Sequence, residues 1–127
     1  MSDRVEAVMA RVEFIKHNGK ELLMLDFSNC KPGDVFLVID EAKKTIRSCP
    51  ENSVLTLTDV TNMRFDDRVT QQMKEFTTHN KPYVRAAAVV GVEGVKKIIL
   101  NAVMLFSKRK FHTVDSIDSA KAWLAAN

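Results

Sequence analysis

From Lys20 to the C-terminus, segments with the two-residue period of a strand alternate with segments that have the 3.6-residue period of a helix, and turn-forming residues separate them. This alternation constrains the fold more than any other feature. A helix between two strands gives the chain enough length to cross back, so that successive strands run parallel in one sheet with helices packed on it.

The predicted elements follow in order. Arg11 to His17 alternates, with Val12 and Phe14 on one side. Asn18-Gly19 then fits a two-residue type I′ hairpin turn, because both central positions need positive φ. Lys20 to Phe27 is the returning strand, and its continuous run Leu22-Leu23-Met24-Leu25 predicts burial on both faces. Pro32-Gly33-Asp34 breaks the chain, and Val35, Val38, Ile39, Ala42 and Ile46 recur at helical spacing from Asp34 to Ser48. Val54 to Val60 is rich in β-branched residues and reads as a strand. Asp66-Asp67 suits a helix start, with Val69, Met73 and Phe76 on the buried face. Tyr83 to Val90 is the next strand, Gly91-Val92-Glu93-Gly94 opens a third helix reaching Ser107, and Lys110 to Val114 is a short last strand. Asp115-Ser116 precedes a final helix with Ile117, Ala120, Trp123 and Leu124 inward. The expected fold is one α/β domain over residues 1–127. It has a mostly parallel five-stranded sheet, an antiparallel first strand and the element order ββαβαβαβα.

Composition supports a folded chain: 46% of residues are apolar and 28% charged, outside the disordered range. No apolar run approaches the roughly 20 residues a membrane span needs. Met1-Ser2-Asp3-Arg4-Val5 has no long apolar stretch of the kind that marks a secretory leader, so a cytoplasmic location is expected. Cys30 and Cys49 flank the first long helix, whose 15 residues span about 22 Å. A disulfide requires Cα atoms within about 7 Å, so the two are expected as free thiols. The net charge is +3, and between Lys81 and His112 the only acid is Glu93. One side of the domain is therefore expected to be electropositive.

The C-terminal third carries a resemblance. Arg85-Ala86-Ala87-Ala88-Val89-Val90-Gly91 is similar to the strand end of the SpoIIAA-like (STAS/SEC14-like) family. Phe111, with the run from Asp115 to Leu124 ending Ala-Lys-Ala-Trp-Leu, resembles its closing helix. The element order also resembles the STAS domain of anti-sigma factor antagonists. The resemblance implies a non-enzymatic regulatory module that binds another protein. It places the partner surface on the loop after the third strand, here Asp59, Thr61, Asp66, Asp67 and Arg68. STAS antagonists are switched there by phosphorylation of a serine in an Asp-Ser-Ser-Gly pattern. This chain has Asp59-Val60-Thr61 but lacks the Ser-Ser-Gly part, so the usual phosphorylatable serine is missing. The kinship of the family with lipid-carrying SEC14/CRAL-TRIO domains implies a second possibility, a carrier or sensor of a lipid or other apolar small molecule.

Read directly, the residues offer no catalytic centre. There is no Gly-x-Ser-x-Gly elbow, and Gly91-Val92-Glu93-Gly94 matches neither the phosphate loop nor the dinucleotide fingerprint. His17, His79 and His112 lack metal-ligand spacing with any other ligand residue. No cofactor or metal is expected. The run Lys108-Arg109-Lys110 is too short, and too poor in interleaved aromatics, for a nucleic-acid surface. The most informative segment is the third helix. Val95, Ile98, Ile99, Ala102 and Phe106 share one face, assigned to the core. Leu100, Val103 and Met104 form a second apolar stripe, which wants another cover. A neighbouring element, a second copy of the chain, an apolar ligand or a membrane surface would each provide one. Phe36, beside the inner face of the first long helix, joins Leu100, Val103 and Met104 as a candidate oligomer or apolar-ligand surface.

Overall fold

Asn18 and Gly19 adopt φ values of 50° and 77°, the positive pair that a type I′ turn requires. They join β1 (Val12–His17) to β2 (Lys20–Asp26), which pair antiparallel with His17 opposite Lys20. The computed structural model describes residues 3–127, with side chains from Val5 onward; Met1 and Ser2, part of the segment read for a leader, lie outside the described residues.

The remaining strands, β3 (Val54–Asp59), β4 (Val84–Val90) and β5 (His112–Val114), run parallel to β2 and to one another. The sheet order is β1-β2-β3-β4-β5. The architecture is thus α/β with a five-stranded mixed sheet, as the alternation predicts. Among the described residues five helices accompany it: α1 (Asp3–Met9), α2 (Pro32–Arg47), α3 (Asp67–Asn80), α4 (Val95–Ser107) and α5 (Ile117–Ala125). Helix α1 was not anticipated. It is seven residues long, and among its described side chains Val8 packs against the core while Val5 and Met9, at helical spacing with it, are exposed. Helix α2 begins at Pro32 rather than Asp34, because proline is well suited to a first helical turn.

Strand order and crossover hand fix the layers. Strands that follow one another in space, linked by right-handed crossovers, place their helices on one face. Accordingly α2 lies on α3, and α3 on α4. Helix α5 covers the opposite face against β3 and β4. The pleat sends Leu23, Leu25 and Val89 towards α2 and α3, where they meet Val38, Val69 and Phe76. It sends Leu22, Leu57 and Ala88 towards Ala120 and Leu124 of α5. Burial on both faces explains the unbroken apolar run of β2. Each large side chain so buried contributes about 1.5–3 kcal/mol. On the α5 side, His112 stacks on Trp123 with ring centroids 4.2 Å apart.

The cysteines are free thiols; Cys30 is buried and Cys49 half-buried. Among the described residues no helix is long and apolar enough to cross a membrane.

Candidate binding site beneath helix α4

Helix α4 is apolar almost all round, and the structure rotates it away from the sequence expectation: Ile99 of the assigned core face does line the interior and Ala102 is half-buried, but the other three residues of that face are exposed. Val95, Ile98 and Phe106, assigned to the core, are 66%, 70% and 53% exposed, and Leu105 is 81% exposed. Val103 of the supposed outer stripe is buried, and Leu100 faces inward with it. The physical reason lies in polar anchors at the two ends of the helix. At its start, the Lys96 ammonium donates to the carbonyl of Val60, 2.9 Å away. Just beyond its end, the Arg109 guanidinium donates to the carbonyl of Thr77 at 3.2 Å. Lys108 closes the helix in the left-handed conformation and turns the chain towards that contact. With apolar residues on both stripes, burial alone has little preference, and these anchors set the rotation.

Between α4 and the sheet lies a cavity of about 60 Å³. Its walls are mainly apolar: Val89 and Leu25 from the sheet, Met73 and Phe76 from α3, Ile99, Leu100 and Val103 from α4. Thr56, Thr58, Thr77 and Asn80 add polar atoms, and Arg109 and Lys96 are the two cations in its lining. Helix α4 makes its principal contacts with α3 rather than with the strands, so it acts as a cover over this space. The Arg109 guanidinium also stacks on Phe111, 4.8 Å from the ring centroid. It forms no ion pair among the described residues, and burial lowers its pKa to about 10.

Of the candidate surface residues, Leu100 and Val103 therefore come together in the cavity wall. Met104 is half-buried but outside that lining, and Phe36 sits on α2, where the Arg68 guanidinium lies 4.9 Å above its ring. The residues of the loop after β3 have local partners. Asp59 accepts the Thr61 amide at 2.9 Å, closing a turn. Asp66 caps α3 by accepting the Val69 amide at 2.7 Å. Thr61, Asp67 and Arg68 are exposed. The residues that sequence reasoning missed are Lys96, Arg109, Thr56 and Thr58. Arg109 was read only as part of a basic run. Its spacing two residues before Phe111, which puts both on one side of an extended segment, was the available signal.

Among the described residues no three histidine, cysteine, aspartate or glutamate side chains gather as metal ligands. The chain matches no family model, no curated protein and no solved structure.

Proposed function

We propose that this chain is a non-enzymatic binding module of the STAS-like type, working in the cytoplasm, that takes a small apolar molecule between its sheet and α4. The observation that carries this reading is the apolar cavity under a helix that is itself apolar on both sides and attached mainly to α3. Ligand pockets typically have about 300–1,000 Å³. The cavity is smaller, so occupancy requires α4 to move outward. Gly91, Gly94 and Lys108, all at positive φ, flank the helix where such a movement would hinge. The test is an NMR titration of ¹⁵N-labelled protein with 1-decanol. Amide shifts at Thr56, Val89 and Val103 that vanish in a folded Val103→Trp variant are expected. No shifts at these positions would refute the proposal.

A second reading is favoured by a different observation, the exposed stripe of Val95, Ile98, Leu105 and Phe106. Contiguous exposed apolar surface of this kind marks contact sites. Of the loop that holds Asp59, Thr61, Asp66, Asp67 and Arg68, Val60 is tied to the start of α4 by the Lys96–Val60 bond, and Arg68 lies over Phe36 of α2. In this reading the module acts by binding another protein or a second copy of itself, without the usual phosphorylatable serine. Light scattering on the purified chain, and pull-down with loop variants that keep the α3 cap, decide it.

A further inference from the structure

The C-terminal ends of β2 and β3 open into a second space, an exposed cleft of about 560 Å³ lined by Asn29, Lys31, Asn62, Met63, Arg64 and Lys96. Three of these six residues are cations and none is a carboxylate. Lys31, Arg64 and Lys96 make no ion pair among the described residues. Like charges gathered on one wall repel each other unless an anion lies between them. The cleft lies outside the carboxyl ends of β2 and β3, where the loops that follow both strands meet.

The platform is built before any ligand arrives. Asn29 and Asn62 occupy matching left-handed positions after β2 and β3, with φ of 56° and 55°. The Asn29 amide donates to the Thr61 carbonyl at 2.8 Å, and the Arg64 amide to the Cys30 carbonyl at 3.3 Å. The Asn62 side chain donates to the Asn29 side chain at 3.3 Å. The two loops are thus laced together and hold Lys31 and Arg64 on one surface, while the Val60 carbonyl holds Lys96.

We propose that this cleft binds the phosphate group of a small phosphate monoester, which goes beyond the apolar reading above. A phosphate monoester carries about −1.5 to −2 charge near pH 7 and three acceptor oxygens. It therefore matches three cations better than a carboxylate does, through charge-assisted hydrogen bonds. Lys96 lines both the cleft and the apolar cavity. The phosphate can accordingly come from a soluble ester or from the head of an amphiphile whose tail enters beneath α4.

The experiment is an NMR titration with glycerol 3-phosphate and, separately, dodecyl phosphate, on wild type and on a Lys31→Ala, Arg64→Ala double variant. Both replaced side chains are exposed, so the variant should keep the wild-type melting curve. Expected are amide shifts at residues 29–31 and 62–64 and at least tenfold weaker binding in the variant. Dodecyl phosphate binding tenfold or more tighter than glycerol 3-phosphate, with added shifts at Val103, identifies an amphiphile head; equal affinities identify a soluble ester. Absence of those shifts with both probes, or equal affinity in the double variant, overturns the proposal. Neutral 1-decanol probes the cavity alone, so failure of the apolar reading is seen separately from failure here.

Discussion

Gly91 faces Thr61 so closely that a Cβ at Gly91 would lie 2.4 Å from the Thr61 hydroxyl oxygen and 2.6 Å from its backbone nitrogen. The ends of β3 and β4 meet at this point, and Gly91 has φ of 89°. Both the space and the backbone conformation require glycine. Gly91→Ala should therefore cost at least about 1–3 kcal/mol, the range for a strained backbone position. Gly19 also has positive φ but open space around it. Gly19→Ala should cost only about 1 kcal/mol, the conformational part alone. Urea denaturation of the two variants checks the difference, and equal losses would refute the close-approach argument.

The facing of α4 predicts opposite responses from its two stripes. Ile98→Lys and Leu105→Lys replace side chains that are 70% and 81% exposed. Folding stability should change by no more than about 0.5 kcal/mol. Val103→Lys puts an unpaired charge at a buried position and should cost several-fold more, about 3 kcal/mol or above. If wild type is a dimer by light scattering, the outer pair should yield a folded monomer.

Asp66 holds the first turn of α3, so any test of the loop as a partner surface must keep that bond. Asp66→Ala should destabilise the fold by about 0.5–2 kcal/mol, whereas Asp66→Ser retains a capping oxygen and nearly all stability. Thermal melts distinguish the two. Loss of partner binding in the serine variant at unchanged stability would identify the Asp66 charge as part of a contact.

The two thiols should differ in reactivity. Burial is the main cause that pushes the Cys30 pKa up, partly opposed by Arg11. Cys30 stays protonated and covered, while Cys49 is half-buried. Native labelling with a thiol-reactive disulfide at pH 8 should modify Cys49 first and Cys30 only at the unfolding rate. The linkage has a defined sign. A raised folded pKa gives stability that is fully present below the unfolded thiol value of about 8.5 and is lost as pH rises through the folded one. A Cys30→Ala variant should lack that alkaline loss, which stability curves between pH 7 and 10 would record.

The sequence by itself determined the order and kind of the elements from β1 to α5. The two-residue and 3.6-residue periods are local properties, as is the positive φ demanded at Asn18-Gly19. It also kept Cys30 and Cys49 apart, because a helix between them has a fixed length. What only tertiary structure decided is which side of α4 is buried and which distant residues share a cleft. Val95, Ile98 and Phe106 are as apolar as Leu100 and Val103, so periodicity could not choose between the stripes; contacts of Lys96 with Val60 and of Arg109 with Thr77 chose. The cleft residues Asn29, Lys31, Asn62, Arg64 and Lys96 come from three separate stretches of chain. Their meeting depends on parallel strands ending at the same edge of the sheet, and no window of local sequence carries that information.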